Sequence, residues 1–515
     1  MRGKIIFRFL RKQKKTFDQK GLIILKQITN MASEHLEDYL FEEVVITESN
    51  APKFILNGQE VNIWDGDLSH YHSLSVADYI RDSLLEFEKN GIDPFPEIIG
   101  KKSEKEMLKN ALMSGSNVLF KGMKGYGKTT FSKSIAKLLP EKILAVKGCK
   151  INDDPTRPVC FSCKKALMEE NEVELTWVGR KWVRILGDPM MTTRQLIGGL
   201  SIQKIREGHD IDSPEVFTPG RILKAHRGIA YVDELGAIPS AMQTLLHELL
   251  EEKQITTPEG DIIPMRIDTI FISSTNPANY RGTSDIKEPL LDRMEEIFIG
   301  PPETLEEEIL IGLRNMKLKD GPALPDWHLK ILARTVRVAR MKDGNKFANR
   351  IETEPSCRAT IKLFDHVRAS ALRANRESVM LADYGKNYEN IKLGLRSRIE
   401  LDYEDISKDE VISALVEDAI NRTSMEIYSR IPRDEFGGIM EDISSLGVID
   451  VERAEFSEQA HLTSFIESLC SSPVEYNSAL EILLETLRRC TGVISKIECG
   501  KYEYTGRESI RERET

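Results

Sequence analysis

At 515 residues and 40% hydrophobic, the chain can bury substantial cores and has room for about three domains or subdomains. Its net charge of −10 is uneven, because residues 1–30 hold nine Lys or Arg against one acidic residue, Asp18, which leaves −18 on residues 31–515. An acidic body argues against nucleic-acid binding through bulk charge, and the basic head lacks the apolar run of a signal peptide or membrane span, so a cytoplasmic protein with no membrane contact is expected.

Seven cysteines make an odd number, and Cys357, Cys470, Cys490 and Cys499 are scattered. That pattern fits reduced thiols rather than a disulfide framework.

In chain order, residues 1–30 read either as an upstream extension of the reading frame ahead of Met31 or as a disordered basic tail. The N-terminal segment 1–94 carries a predicted hairpin over 53–64, turning at Asn57-Gly58, and a helix over 75–89 with Ser75 as N-cap. It shows no chemistry, and a structural cap is the expected role.

The stretch the chain is organised around follows. Residues 117–120 (Asn-Val-Leu-Phe) read as a buried strand, and 130–139 as an amphipathic helix closed by Pro140. Between them lies Gly122-Met123-Lys124-Gly125-Tyr126-Gly127-Lys128-Thr129, a complete GxxxxGK[ST] loop running into Thr130. Its glycines let backbone N–H groups wrap a polyphosphate, and the helix N-terminus points its positive end at the same anion. Lys128 is expected to reach the β and γ phosphates of ATP, and Thr129 to ligate Mg²⁺.

After a strand at 143–146 comes a cysteine-containing insertion, 148–164, with Cys149, Cys160 and Cys163. A Cys-x-x-Cys knuckle with a third Cys upstream is compatible with structural Zn²⁺, but it supplies only three sulfurs. Free thiols and redox activity stay open as alternatives.

Residues 228–234 (Gly-Ile-Ala-Tyr-Val-Asp-Glu) form a short apolar strand ending in two carboxylates. An acid pair at a buried strand tip needs a cation nearby. Asp233 is expected to hold Mg²⁺ through water and Glu234 to activate the water that attacks the γ phosphate; a surface Asp-Glu turn is the plainer alternative. An amphipathic helix over 240–252, a hairpin over 255–264 with Glu259-Gly260-Asp261 at its tip, and a buried strand over 269–274 come next. The last delivers Ser274-Thr275-Asn276-Pro277, where Asn276 is placed to bond the γ phosphate or the attacking water, or else forms an Asx-turn. Leu290-Leu291-Asp292-Arg293 precedes a short strand at 297–299. Residues 303 to about 375 alternate charged and apolar positions at helical spacing, with a helix over 358–373. Residues 401–515 form a further acidic helical segment whose stripe Val411, Ile412, Leu415, Val416 and Ile420 reads as core.

Together these motifs resemble the AAA+ ATPases, within them the magnesium-chelatase small (I) subunit and MoxR-like branch. The resemblance covers roughly 95–400 and rests on Walker A (122–129), residues 219–234 spanning Walker B, sensor 1 (274–277), 290–293 and Ser356-Cys357-Arg358-Ala359. It implies an α/β fold: an AAA+ core over 95–300 with a parallel sheet, an α-helical lid over 301–400 and a C-terminal helical domain over 401–515. Arg293 is similar to the arginine finger that completes a neighbour's site, and Arg358 to sensor 2. Hydrolysis would then depend on Lys128, Glu234, Asn276, Arg293 and Arg358 in a homo-oligomeric ring, a hexamer. The stretches 197–219 and 255–264 resemble inserts that contact a partner. Relatives of this kind carry another Cys where Asp153 stands; Asp153 would supply an oxygen ligand to Zn²⁺, or the site is lost. No Asp-x-Ser-x-Ser motif occurs, which implies that a von Willebrand A module or chelatase large subunit acts in trans. Two functions fit: a motor for metal insertion into a tetrapyrrole or metalloenzyme activation, or a remodelling chaperone without chelatase chemistry.

Overall fold

The computed structural model describes residues 44–71, 74–208, 216–252, 254–256, 262–264, 266–276, 286–342, 344–402, 406–454, 456 and 458–506. The basic head, Met31, the 255–264 hairpin tip, part of the 197–219 insert and Pro277 lie outside them. The chain divides into two compact units. One holds the described residues to Glu97, Ser103–Gly122 and Lys128–Phe298; the other holds Ile98–Lys102, the loop tip Met123–Gly127 and everything described from Ile299.

In the first unit, β1 (Lys53–Leu56) and β2 (Gln59–Val61) form the expected hairpin. Asn57 and Gly58 both have positive φ (54° and 82°), the conformation that a two-residue turn needs to match strand twist. This hairpin is not a separate cap. β1 runs parallel to β5 (Glu172–Gly179), which pairs antiparallel with β4 (Lys142–Val146), giving a four-stranded sheet β2-β1-β5-β4. Helix α1 (Val76–Lys89) begins as the sequence predicts: Ser75 Oγ accepts from Asp78 N at 3.2 Å, and Val76, Ile80 and Leu84 are buried.

The second sheet of this unit carries the nucleotide motifs. It comprises β3 (Asn117–Lys121), β6 (Trp182–Leu186), β9 (Gly228–Asp233), β12 (Thr269–Thr275) and β13 (Met294–Phe298), with β7 (Gly198–Leu200) pairing β8 (Phe217–Pro219), and β10 (Gln254–Thr256) pairing β11 (Ile262–Pro264), outside it. Its order is β13-β3-β12-β9-β6 with every neighbouring pair parallel. Val118, Leu119 and Phe120 are all fully buried, as are Ile229 to Val232, because a parallel sheet covered on both faces takes continuous apolar runs rather than alternation. The sheet turns over at β3, which has a later strand on each side; the carboxyl ends of β3, β12 and β9 are therefore adjacent, the usual ligand position in such sheets. Helix α2 (Lys128–Ala136) starts two residues earlier than the periodicity suggests, because the loop hands its last two residues directly to the helix.

The second unit is largely helical. Among its helices are α3 (Leu305–Asn315), α4 (Asp326–Met341), α5 (Cys357–Arg373), α6 (Lys408–Ser429) and α7 (Tyr476–Thr491). One continuous core runs from Trp327 and Phe364 through Leu415 and Ile420 to Leu480 and Tyr502, across position 400 where the sequence suggests a division. The segment beyond 401 is also not purely helical: Val448–Asp450, Ile494–Glu498 and Lys501–Tyr504 make a three-stranded antiparallel sheet, with buried Ile449, Ile494 and Tyr502 facing the core. Such short strands leave too few residues for a visible period of two. No helix among the described residues is long and apolar enough to cross a membrane.

Candidate nucleotide-binding site

Four of the predicted residues converge at the carboxyl ends of the central strands. Lys128, only 8% exposed, opens α2 and turns its Nζ back to the Gly122 carbonyl and to Asn276 Oδ1 (3.4 Å). Asn276 is itself buried and follows β12, whose Thr275 pairs with Lys121 at the end of β3. An ammonium ion at that position is held by a carbonyl and an amide oxygen, both of which a phosphate oxygen can replace.

Thr129 and Asp233 are joined through Tyr231. The Tyr231 hydroxyl lies 3.2 Å from Thr129 Oγ1, 3.1 Å from Asp233 Oδ1 and 3.0 Å from Ser274 Oγ. Ser274 Oγ donates to Asp233 Oδ1 at 2.8 Å, and the Arg184 guanidinium donates to Oδ2. Burial alone would raise the Asp233 carboxyl, but the Arg184, Ser274 and Tyr231 donors outweigh it and hold it below the usual carboxylate range. Burial pushes the Tyr231 phenol up to about 12, so it stays a hydroxyl. A hydroxyl and an anionic carboxylate set side by side, with rigid donors behind them, are an oxygen set suited to Mg²⁺.

Glu234 follows Asp233 with left-handed backbone (φ 61°, ψ 58°), and its N–H donates to Ser274 Oγ at 3.4 Å. The opposite chain leaves no room at this kink: Gly187 N donates to the Asp233 carbonyl at 2.7 Å, and a Cβ at Gly187 would overlap the Glu234 carbonyl. A non-glycine residue in this backbone region is strained, and such strain is concentrated at functional sites.

The loop tip belongs to the second unit. Gly125 has φ 89°, and a methyl there would overlap Ser356 Oγ and come to 3.6 Å of Arg358 Cγ, so the tip abuts the N-terminus of α5. Tyr126 lies beneath the Arg340 guanidinium at 5.6 Å. Arg340 in turn bonds the fully buried Glu308 at 2.8 Å, which also accepts from Thr360 Oγ1. Met123 and Lys124 complete the tip, and Thr130 sits in the first turn of α2, where its carbonyl accepts from Ser134 Oγ.

Arg293 is not brought to this cluster. It immediately precedes β13, whose Met294 pairs with Asn117 at the start of β3, while the loop leaves β3 at its other end, ~13 Å along the strand at about 3.3 Å per residue. There it is paired with Asp292 (2.6 Å) and Glu251 (3.1 Å). The three cysteines do come together: ligand atoms of Cys149, Cys160, Cys163 and Asp153 all lie within 4.8 Å of one another.

Sequence reading gives no role to Arg184, Tyr231 or Gly187. Tyr231 could have been suspected as a lone polar-tipped residue in the apolar run 228–232, and Arg184 as a charge inside the strand Trp-Val-Arg-Ile-Leu; nothing marks Gly187, whose need arises only from chain approach.

The sheet order, the loop and the acid pair define an AAA+ P-loop core. Residues 162–294 match the family model described as "AAA domain (dynein-related subfamily)". Among curated proteins the chain is 31% identical over 207 residues to a magnesium-chelatase subunit ChlI homolog of Methanocaldococcus jannaschii, covering 39% of this chain and 53% of that one. It is 30% identical over 205 residues to the chloroplastic magnesium-chelatase subunit ChlI-2 of Arabidopsis thaliana, covering 39% and 46%. The chain thus spans about half the length of these relatives. A solved structure of the BchI–BchD complex of magnesium chelatase aligns with TM-score 0.32 at 21% identity, over 63% of this chain and 98% of that one. Within this chain, residues 162–294 are thus similar to an AAA domain, and about two fifths of the chain is similar to magnesium-chelatase I subunits.

Proposed function

We infer that this chain binds Mg-ATP at Gly122–Thr129, hydrolyses it as one subunit of a homo-oligomeric ring, and uses the cycle to drive a partner protein, as its relatedness to magnesium-chelatase I subunits suggests. The observation that carries the reading is the linkage of Thr129 to Asp233 through Tyr231, with Lys128 and Asn276 beside them. Mg²⁺ bound there neutralises phosphate charge.

The chain's own residues do the rest. Lys128 exchanges the Gly122 carbonyl for phosphate oxygens, and backbone N–H groups of the loop surround the same anion. Asn276 positions the γ phosphate or the attacking water, and Glu234 takes that water's proton. Arg358 at the start of α5 serves as the lid's phosphate sensor. Arg293, at the far end of β13, serves the next subunit's site, which makes turnover conditional on ring assembly. A chelatase large subunit or a von Willebrand A protein is the partner expected for metal insertion; a remodelling chaperone would use the same residues on a different client.

Phosphate release by the full chain, with Glu234→Gln as control, tests the ATPase reading. No Mg²⁺-dependent turnover by the parent chain would remove it, and equal turnover by the two would remove Glu234 from its role. Magnesium insertion into a porphyrin, assayed with an added chelatase large subunit, separates the two coupled functions: insertion supports the chelatase motor, and ATP turnover without it leaves the chaperone.

A further inference from the structure

Three thiols and a carboxylate meet in the first unit, outside the nucleotide site's chemistry. β4 ends at Val146, Gly148 turns the chain with φ 80°, and Cys149 follows. Asp153 stands four residues on. Cys160 is the N-cap of the helix Phe161–Glu169, and Cys163 lies in its first turn.

The spacing is that of a shared metal. Cys149 Sγ and Cys160 Sγ are 3.8 Å apart. Two thiolates bound tetrahedrally to one Zn²⁺ at about 2.3 Å each stand ~3.8 Å apart, whereas a disulfide holds its sulfurs at about 2.05 Å. Backbone N–H groups point at these sulfurs: Asp153 N is 3.4 Å from Cys149 Sγ, and Cys163 N is 3.4 Å from Cys160 Sγ. Such donors suit anionic sulfur.

The carboxylate is held as a metal ligand would be. Asp153 is fully buried; its Oδ2 accepts from Val159 N (2.8 Å) and Cys160 N (2.7 Å). Its Oδ1 lies 3.2 Å from His226 Nε2. His226 Nδ1 accepts from Asp268 N at 3.0 Å, which places the imidazole proton on Nε2, close to the carboxylate but without hydrogen-bond geometry to it. The nearby Arg227 pairs with Asp154 at 3.1 Å. Hydrogen-bonded support of this kind orients ligands around a metal, and a divalent cation offsets the cost of burying thiolates beside a carboxylate.

We propose that Cys149, Cys160, Cys163 and Asp153 bind one Zn²⁺ in a closed, structural site. Four protein ligands leave no open position for substrate, so the metal does not take part in hydrolysis. Cys149 and Cys160 pack against both the core of the β2-β1-β5-β4 sheet and the core of the nucleotide sheet. The ion therefore fixes the turn after β4 and the helix at 161–169 where the two cores meet, and His226 extends that support to the start of β9.

The test uses the full chain, purified without chelator under reducing conditions and then incubated with Zn²⁺. About one zinc per chain is expected by elemental analysis, and less than about half an equivalent overturns the proposal. Cobalt substitution should give the visible bands of tetrahedral Co²⁺ with sulfur charge transfer; their absence overturns it too. Of the seven cysteines, three should resist alkylation with zinc bound and become reactive with a chelator, a readout that needs no variant. Asp153→Cys should keep the metal and shift the cobalt spectrum toward a four-sulfur site, whereas Asp153→Ala with an unchanged spectrum would exclude the carboxylate as fourth ligand.

Discussion

The Arg184 guanidinium is bonded to Asp233 Oδ2, so the carboxylate that faces Thr129 across Tyr231 already carries a cation supplied by the neighbouring strand. Arg184 is half exposed, which limits the strength of the pair through solvent screening. In the proposed Mg-ATP site, it would compete with a hydrated Mg²⁺ for the same oxygen. Arg184→Ala should lower the Mg²⁺ concentration needed for half-maximal ATP turnover by up to about fivefold, the effect of removing an interaction of up to about 1 kcal/mol. A magnesium titration at saturating nucleotide reads this directly, and an unchanged midpoint would show that the pair is maintained with the metal in place.

Lys128 and Glu234 should separate binding from chemistry. Lys128→Ala removes the ammonium seated beside Asn276 and should reduce nucleotide affinity by at least about a hundredfold, as expected for a charge-assisted contact to phosphate in a buried position. Glu234→Gln keeps the backbone kink and should bind ATP normally while losing about 10²–10⁴ in turnover, the usual range for a general base. Fluorescent nucleotide titration paired with phosphate release distinguishes the two defects.

The proposed role of Arg293 in a neighbouring subunit's site has its own kinetic signature. Arg293→Ala should bind ATP with near-normal affinity and lose about 10³-fold or more in turnover, the range known for arginine fingers. Mixing it with Glu234→Gln chains, whose own Arg293 is intact, should recover part of the activity at mixed interfaces. If mixtures only sum the two residual rates, the trans role is lost.

The second unit should respond to pH through Glu481. It is fully buried on α7, its Oε2 accepts from Leu381 N at 2.6 Å, and burial raises its carboxyl to about 7. In the unfolded chain it ionises near ~4.3, so the folded state holds the extra proton between those values. The stability this contributes is present below the unfolded value and is lost as pH rises through about 7. Asp383, also raised by burial, acts in the same direction, while Glu485, held down at about 2 against burial by Arg488 and Arg489, is ionised throughout this window. Glu481→Gln should therefore flatten the fall in melting temperature between pH 5 and pH 8 and stabilise the protein at pH 8, by up to about 4 kcal/mol for the full shift. Parallel melting curves for parent and variant would rule Glu481 out as the source.

The sequence by itself determined the parts that are local in the chain. A phosphate loop needs its strand, glycines, lysine and helix consecutively, so Gly122–Thr129 and the acid pair at 233–234 were legible, as were the Asn57-Gly58 turn and the Ser75 cap. Only the tertiary structure decided what depends on chain segments meeting across distance. Strand pairing set Arg184 on Asp233 and sent β4 into a second sheet with the N-terminal hairpin; a close approach of chains made Gly187 necessary beside Glu234; and one core joined residues on either side of position 400. These relationships leave no periodic trace, because each rests on contacts between segments tens to hundreds of positions apart. Short-range order is written in backbone preference and hydrophobic spacing, whereas long-range contacts are selected by which buried surfaces and charges are satisfied together when the whole chain packs.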